Sequence, residues 1–526
     1  MILSRSALIA AILYVFATFA IQACAQSGTS SALAGTIEDP SGAVLPDAVV
    51  TITDTSTGAS RKLHTGPDGH YLFAQVNPAR YRIEVEAPGF APAEASVGVA
   101  VGATAATNFK LQLGSNSQVV EVSAQPDLAS LDNPNTSATL EAKAINDLPN
   151  PGQDLTYLAQ FAQGALINTA GSSNDFKAAG GFGNVEFNGL PATSNGYILD
   201  GYDANDPFLG LNVGLSTNLV IGLNAVQEAT VNTNSFAVDQ GRYGASQTNY
   251  FTKSGTNKFH GNLYEIWNGS VLNAENYFLH ATGDARKPRS NVNDFGGSIG
   301  GPIVKNKLFF FFDYEGYRLA IPLVAHTVVP SPAYQQYVLA QLPLGGLDPI
   351  NGTALPAEPA EAPFYRNMFK LYRDTSGTPV NVLECPLDAR GAILTEALPN
   401  GNGCANRRTD SLGNTDSENL IVLKIDHTIN AKGSVWYRFQ QDDGLQAAYT
   451  DAINRMFNAY SPQPQRTLVA GYTHLFSPNL VNQFNPGASW YSSIFEPNDY
   501  ASVLSAFPIV LQGSGSNAPF TTLGGD

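Results

Sequence analysis

The sequence predicts a mainly β protein that consists of an N-terminal β-sandwich, a small α/β domain and part of a transmembrane antiparallel β-barrel. Three observations predict this class. The chain has 49 Gly and 32 Pro among 526 residues, which implies many turns. Short β-branched runs alternate with turn residues near the N-terminus. Beyond about residue 257, longer amphipathic strands are joined by connections of two unequal kinds.

The composition argues against two classes of function. Charged residues make up 14% of the chain, against roughly 25% in an ordinary soluble domain. A soluble, ion-pair-rich enzyme is therefore disfavoured. The 44 acidic and 28 basic residues give a formal charge of -16, so the chain lacks the positive surface that a phosphate backbone requires. No nucleic-acid partner is predicted.

The first 25 residues have the three parts of a secretory signal peptide. Arg5 supplies positive charge, residues 7–21 form an almost continuous apolar run, and Ala23-Cys24-Ala25 is a small-x-small cleavage site. The run is shorter than the ~20 residues that a membrane-spanning helix needs. We therefore predict cleavage after Ala25. This prediction is favoured over a membrane anchor and over lipid attachment at Cys24.

Two cysteines remain after cleavage, Cys385 and Cys404. An even pair in an exported protein favours a disulfide over a thiol catalyst or a metal site. The loop that they would close is short, so the bond would contribute about 3 kcal/mol by restricting the unfolded chain.

Residues 29–114 have the rhythm of a β-sandwich. The β-branched run Val49–Thr53 follows a turn, and apolar and charged residues alternate from Tyr81 to Glu86. The runs 35–42, 68–73 and 79–85 resemble the carboxypeptidase regulatory-like domain, which implies a prealbumin-like sandwich without peptidase activity. Because this fold is similar to carbohydrate-binding modules, sugar binding is an open alternative.

Residues 126–256 are predicted to form the α/β domain. Leu140, Ile145 and Leu148 precede Pro149 at helical spacing, and residues 153–161 continue with a helical period. Gly- and Asn-rich loops with short strands follow. This domain contains a cluster of short polar side chains: Asp200, Asp203, Asn205 and Asp206. The cluster lacks the spacing and the distal Glu of an EF-hand, so a solvated turn is favoured over calcium.

No metal site or cofactor is predicted elsewhere. None of the seven histidines lies in an H-E-x-x-H arrangement. His64 and His70 are interpreted as strand-face or turn residues. The run Gly296-Gly297-Ser298-Ile299-Gly300 fits the G-x-S-x-G pattern of hydrolases, but no helical period begins after it, as that motif requires. We therefore predict that Ser298 is not a nucleophile and that the chain is not an enzyme.

Residues 257–526 alternate between amphipathic strands and connections. The predicted strands are 258–267, 291–301, 306–318, 417–428, 433–442, 466–476 and 479–492. Most are near the ~9–11 residues that a tilted membrane strand needs. The predicted long loops are 269–290, 319–416 and 443–465, whereas the other connections are tight. Such asymmetry is typical of outer-membrane barrels, and a large soluble sandwich is the alternative.

Motifs at the start of the strand region match a known family. Asn224–Val231, Tyr243-Gly244-Ala245 and Thr252–Gly261, together with Leu199-Asp200-Gly201 and Asn205-Asp206, resemble the plug and barrel start of Oar-like TonB-dependent outer-membrane receptors. The resemblance implies a Gram-negative outer-membrane transporter, with residues 126–256 as its plug and the Asp200–Asp206 cluster at the plug apex. It also implies an extracellular substrate such as a siderophore, a sugar or a protein.

In such receptors the energising TonB protein pairs with a short strand ahead of the plug. That strand maps to the predicted linker, residues 115–125, and its contact candidates are Val119, Val120, Glu121, Val122 and Ser123. An extended apolar edge of this kind can accept a partner strand by β-augmentation. The alternative to a TonB contact is that these residues form one more strand of the sandwich or plug.

A complete plugged transporter has about 22 strands, whereas about seven are predicted here. An open sheet edge is costly in lipid, so the sequence is interpreted as an incomplete receptor. The alternative function is an exported adhesion or carbohydrate-binding protein made of β-modules. The resemblance leaves the identity of the substrate open.

Overall fold

The structure is a computed structural model with three units along the chain. It describes residues 31–102, 104–114, 118–119, 136–148, 159–167, 185–205, 222–233, 242–272, 274, 291–347, 354–372, 374–379, 404–430, 432–451, 453–477, 480–492 and 494–502. We call residues 31–114 the sandwich, 136–252 the central module and 260–497 the C-terminal sheet. The predicted signal peptide, residues 1–25, lies outside the described residues.

The sandwich has two sheets. Its strands are β1 (Ser31–Glu38), β2 (Val49–Asp54), β3 (Ser60–His64), β4 (His70–Val76), β5 (Ala79–Glu86), β6 (Ala93–Val99), β7 (Thr104–Ala106) and β8 (Phe109–Lys110). One sheet has the order β4-β1-β7, with β8 also pairing with β1, and the other has the order β3-β2-β5-β6. Alternate residues of β1, β2 and β5 are buried, so one face of each sheet forms the core. The predicted sandwich is confirmed.

A short strand β9 (Gln118–Val119) extends the second sheet beyond β6. It pairs in parallel with β6, with Val119 opposite Glu94. The first residue of the predicted TonB-contact strand thus begins as an edge strand of the sandwich. The remaining candidates, Val120 to Ser123, lie outside the described residues.

The central module is a mixed sheet with one short helix. Its strands are β10 (Thr136–Glu141), β11 (Ala165–Ile167), β12 (Val185–Phe187), β13 (Asn195–Leu199), β14 (Tyr202–Asp203), β15 (Val226–Thr233) and β16 (Ser246–Thr252). The main sheet has the order β10-β15-β16-β13-β14, in which β13 and β16 run parallel. Helix α1 (Ala142–Asp147) follows β10 directly.

The helical prediction for the start of this module is partly wrong. Leu140 lies in β10, where it pairs with Ala229 of β15, and only Ile145 lies within the helix. The apolar spacing fits both structures over so few residues, and pairing with β15 decides the outcome. Leu155 and Leu158 lie outside the described residues.

The C-terminal sheet is antiparallel. Its strands and flanking segments are β17 (His260–Gly269), β18 (Asn291–Val304), β19 (Leu308–Pro330), β20 (Gly346–Leu347), β21 (Ala354–Leu355), β22 (Thr378–Pro379), β23 (Ala405–Asn430), β24 (Gly433–Tyr449), β25 (Ala459–Ser477), β26 (Leu480–Phe484), β27 (Gly487–Tyr491) and β28 (Glu496–Pro497). The order of the sheet is β17-β18-β19-β23-β24-β25-β26, and β27 continues the last strand against β25.

The two faces of this sheet differ in chemistry. On β19 the side chains of Phe309, Phe311 and Asp313 are 2%, 0% and 0% exposed. The intervening Phe312 is 37% exposed. Tyr437 on β24 and Leu468 on β25 are 49% and 53% exposed. We call the buried face, which contacts the central module, the inner face. The apolar exposed face is the outer face, and the predicted alternation of apolar and polar residues is confirmed.

Four strands extend into segments that are predicted to be long loops. Residues 319–330 of β19 pair with 405–416 of β23, although both stretches were predicted to be loop. The first contains Pro322 and the second is rich in turn-forming polar residues, which hides them from pattern reading. Likewise β24 and β25 extend through the predicted loop 443–465, and Pro462 and Pro464 lie inside β25. Pairing along an already formed hairpin overrides these local signals.

Two further helices lie between β19 and β23. They are α2 (Pro332–Gln341) and α3 (Ala362–Leu371). Helix α2 begins at Ser331, whose side chain accepts a hydrogen bond from the Tyr334 N–H. In the part of the chain that the structure describes, no helix is long and apolar enough to span a membrane.

Candidate functional site

The candidate site lies where the central module meets the inner face of the C-terminal sheet. One apolar core joins the two units. It contains Tyr197, Leu199 and Tyr250 of the central module with Phe311, Leu420 and Val422 of the C-terminal sheet. All six side chains are at most 2% exposed. The two units are therefore docked through a dry contact, not merely adjacent.

A tight turn after β13 places a carboxylate in this contact. Asp200 and Gly201 both have a positive φ, 49° and 81°, which Gly adopts freely and Asp tolerates in turns. The Asp200 N–H donates to the Tyr250 carbonyl at 2.9 Å. The turn therefore continues the pairing with β16 and aims the Asp200 side chain at the inner face.

The Asp200 carboxylate accepts three hydrogen bonds and forms one further ion pair. Arg438 Nη1 lies 2.7 Å from Oδ2, and Lys424 Nζ lies 3.8 Å from Oδ1. Within the central module, the Thr252 N–H and hydroxyl donate at 2.9 and 2.8 Å. Lys424 Nζ also donates to the Thr252 carbonyl at 3.2 Å and lies 4.5 Å from the centre of the Phe251 ring. We call Asp200, Lys424 and Arg438 the ion cluster.

The ion cluster is buried. The side chains of Asp200, Lys424 and Arg438 are 2%, 3% and 1% exposed. Burial alone would raise the pKa of Asp200, but Lys424, Arg438 and the Thr252 donors outweigh it and hold that pKa below its ordinary value. Asp200 is therefore an anion that pairs with two cations of the C-terminal sheet.

The predicted polar cluster is thus divided by the fold. A solvated turn is wrong for Asp200, because the docking of the two units buries it. Asp203 instead pairs with the exposed Arg242 and accepts from the Tyr243 hydroxyl. Asn205 accepts from the Tyr197 N–H at 2.8 Å and donates to the Asn195 carbonyl at 2.9 Å, which fixes β14 against β13. Asp206 lies outside the described residues.

A second polar contact joins the same units. Asn224 Nδ2 donates to Asp313 Oδ1 on β19 at 2.6 Å, and Asn224 Oδ1 accepts from Asn262 on β17 at 2.8 Å. Asn224 and Asp313 are both buried. When one partner of a buried hydrogen bond is removed, the other polar group is left buried and unsatisfied, which costs free energy. This hydrogen bond therefore fixes the position of the central module along the sheet.

The sandwich is joined to both other units. The Val101 N–H donates to Glu228 Oε1 of β15 at 2.8 Å. At the tight β18–β19 turn, Asn257 donates to the Thr57 carbonyl at 2.6 Å and to Asn306 Oδ1 at 2.7 Å. A cavity of about 410 Å³ lies between the three units, lined among others by Arg61, Asp426 and Lys432.

We expect the folded state to lose stability as pH rises through the pKa of Glu228. Burial raises the pKa of Glu228 from its ordinary 4.5 to about 7, more than the Val101 N–H lowers it. Between pH 4.5 and 7 the folded state therefore keeps a proton on Glu228 that the unfolded chain has lost. The contribution of Glu228 to the free energy of unfolding is complete below pH 4.5 and is lost as pH rises through 7. The unaltered protein should lose about 3 kcal/mol of unfolding free energy over this pH range, as measured by urea unfolding. Glu228→Gln should not show this loss.

The matched control is Glu141→Gln. Glu141 is exposed on β10, directly opposite Glu228. The charge of Glu141 raises the pKa of Glu228 less than burial does, so this variant should keep most of the pH dependence that Glu228→Gln removes. An unchanged pH profile in Glu228→Gln would show that another group carries the dependence.

The other predicted residues have mixed outcomes. Cys404 is disulfide-bonded, and its pairing with Cys385, which lies outside the described residues, stays a prediction. Ser298 lies on β18, where its hydroxyl donates to Asn262 Oδ1 at 2.7 Å. His70 contacts the Gly35 carbonyl and His64 contacts Asp47. Within the described ranges, no group of three His, Cys, Asp or Glu side chains is arranged to hold a metal ion.

Sequence reasoning did not identify the cations of the ion cluster as site residues. Lys424 and Arg438 were assigned correctly to the polar side of their strands. Their partner Asp200 precedes Arg438 by 238 positions. Alternation predicts that an inward cation needs a partner, but it contains no information on which one.

Comparison with known proteins agrees with this architecture. The outer membrane beta barrel domain family matches residues 251–524, more than half of the chain. The chain belongs to this family. The carboxypeptidase regulatory-like domain family matches residues 32–112, which coincides with the sandwich. Membership places the chain in the outer membrane of a Gram-negative cell, as the signal and strand patterns predict.

Relatives add further detail. The TonB-dependent transporter Oar of Myxococcus xanthus is 27% identical over 295 residues, which cover 54% of this chain and 26% of that protein. The chain thus spans about a quarter of the length of that relative. That relative is named as a transporter, which agrees with the prediction that this chain is not an enzyme.

Two solved structures show similarity at low sequence identity. The outer membrane transporter YddB from Escherichia coli is 10% identical, with a TM-score of 0.43 over 69% of this chain and 40% of that one. The siderophore receptor PirA from Acinetobacter baumannii is 11% identical, with a TM-score of 0.32 over 69% and 48%.

Proposed function

We propose that the chain is a TonB-dependent outer-membrane receptor that binds an extracellular substrate and admits it through a plugged β-barrel. The central module, within residues 126–256, is the plug, and the C-terminal sheet, within 257–526, is barrel wall. The observation that carries this proposal is the ion cluster. It binds a compact module to the buried face of a sheet whose opposite face is apolar.

The geometry explains why transport would need an energy source. Moving the plug separates Asp200 from Arg438 and Lys424 and opens the dry core around Phe311. Breaking a buried charge pair is costly, because each ion then lacks its counter-charge. Thermal motion alone would open such a contact rarely, so a mechanical pull from the inner membrane is a suitable way to release it.

The proposed point of attachment is the strand Val119 to Ser123. It lies between the sandwich and the plug in the sequence, and an apolar extended segment can pair with a TonB strand by β-augmentation. The parallel pairing of Val119 with Glu94 supports an extended backbone at its start. A pull at this point would act on the plug through the following residues and on the sandwich through β9.

Replacing Val120 with Pro tests the proposal. Proline removes a backbone donor from the ladder and is poorly tolerated inside a paired strand. Full-length receptor from native cells should retain TonB on affinity purification, and Val120→Pro should lose most of it. The control Val120→Thr keeps the backbone N–H and a β-branched side chain, so it should retain TonB.

The outcomes separate two failures. No TonB with the unaltered receptor would overturn the proposed function. Equal retention by Val120→Pro and Val120→Thr would leave the function in place and move the contact to another segment.

A further inference from the structure

A group of carboxylates lies on the inner face beyond the ion cluster. Its members, one from each of four adjacent strands, are Asp294 of β18, Glu315 of β19, Glu418 of β23 and Asp442 of β24. We call them the acidic belt. Their side chains are 2%, 1%, 0% and 0% exposed.

The register of the sheet places the belt in two neighbouring rows. Glu315 pairs with Leu420, which pairs with Asp442, so these residues form one row across the strands. In the next row, Asp294 pairs with Tyr317, which pairs with Glu418. Residues two apart on a strand lie on the same face. The four carboxylates therefore form one patch of a single sign on the inner face.

The patch holds oxygen atoms without partners. Among the described residues, Glu315 Oε2 accepts no hydrogen bond, and the Asp442 carboxylate has only the neighbouring carboxyl group of Glu418 as a side-chain partner. Gln465, the cross-strand neighbour of Asp442, is 7% exposed, and its Oε1 is also unpartnered there. No described lysine or arginine lies within ion-pairing distance of Glu315 or Asp442. The nearby Arg466 pairs with Asp443 on the outer face instead.

The plug contacts this patch at Glu315. A Cβ atom on Gly222 of the central module would overlap Glu315 Oε2, so the plug backbone approaches the belt as closely as a glycine allows. Glu315 and Asp442 are thus buried carboxylates without a paired cation, which reduces the stability of the folded protein. These carboxylates are better explained if they act in the state in which the plug has moved away from the wall.

We propose that the acidic belt lines the transport path and selects positively charged substrates. Rings of Asp and Glu side chains select cations in pores, and a cleft of one charge sign concentrates counter-ions. The formal charge of -16 on the whole chain acts in the same direction. This inference rests on the proposed function, since the belt becomes accessible only when the plug leaves the wall.

Ion selectivity of the opened pore tests the inference. The full-length receptor is inserted in planar bilayers and the plug is detached with urea at pH 8, where hydrated carboxylates are ionised. Reversal potentials in a KCl gradient then give the permeability ratio of K⁺ to Cl⁻. The ratio should exceed one and should fall by roughly tenfold at low salt in Glu315→Gln/Asp442→Asn.

The control is Asp443→Asn. Asp443 is adjacent to Asp442 but lies on the outer face with 42% of its side chain exposed, so this variant should keep the ratio of the unaltered receptor. Spermine added from outside is a second probe that needs no folded variant, and it should block the K⁺ current of the unaltered receptor.

A pore that prefers Cl⁻, or one that spermine does not block, would overturn the inference while leaving the plugged barrel intact. Equal ratios in Asp443→Asn and the double variant would do the same. No conductance at any urea concentration would overturn the proposed function, and the inference with it.

Discussion

Replacing Asp200 with Ala should weaken the hold of the central module on the C-terminal sheet by about 3–5 kcal/mol, because Arg438 and Lys424 are left buried without their counter-charge. Both cations are at most 3% exposed, so water cannot easily replace the lost carboxylate. The variant also leaves the Thr252 N–H and hydroxyl without their acceptor. Asp200→Ala should thus cost more than Arg438→Met, which leaves Asp200 with Lys424.

Trp436 reports the separation of the two units. It lies on β24 with its ring centre 5.7 Å from Lys424 Nζ. With the other tryptophans replaced by phenylalanine, its fluorescence in a urea titration follows release of the central module. We expect the midpoint to fall to lower urea in Asp200→Ala.

The matched control is Asp203→Ala in the same module. Asp203 pairs with Arg242, whose side chain is 71% exposed, and an exposed pair is worth only about 0–1 kcal/mol. Equal shifts of the midpoint in Asp200→Ala and Asp203→Ala would contradict the assignment of the ion cluster as the main polar contact.

The ion cluster and Glu228 differ in their response to pH. The pKa of Asp200 is lowered in the folded protein, so its stabilisation is present above the ordinary pKa and is lost as pH falls through the folded value. The pKa of Glu228 is raised, so its contribution is lost as pH rises. Near neutral pH the ion cluster therefore contributes fully to stability, while burial of the ionising Glu228 carboxylate lowers the stability of the folded state.

The sequence predicts the architecture well because periodicity is a local property. Alternate burial in β1 and β5 follows directly from the alternation of apolar and polar residues. The same rule places Lys424 and Arg438 on the inner face. Family motifs then predict that Asp200 belongs to a plug.

The site is harder to predict, since it depends on contacts between distant parts of the chain. Asp200 sits in a turn of polar residues and glycine, which is typical of a solvated loop. Only docking against β23 and β24 converts it into a buried ion. Strand ends are missed for a related reason: Pro322 and Pro464 signal breaks locally, but pairing with a neighbouring strand continues past them.

Phe311→Ala should also weaken the docked state by about 3–5 kcal/mol, the usual cost of deleting a buried aromatic ring. Phe311 is 0% exposed and belongs to the core shared by the two units. Its neighbour Phe312 is 37% exposed on the outer face, so Phe312→Ala should leave the Trp436 transition near its original midpoint. Equal shifts in the two variants would mean that both act on the sheet alone.

Phe311 should also act on the ion cluster. It is the direct cross-strand partner of Lys424, so its ring helps to exclude water from the charges beside it. Removing the ring admits water, which raises the local dielectric and weakens each ion pair. Groups in contact are not additive, so Asp200→Ala should cost less in the Phe311→Ala background than alone. Strict additivity would show instead that the apolar core and the ion cluster hold the plug independently.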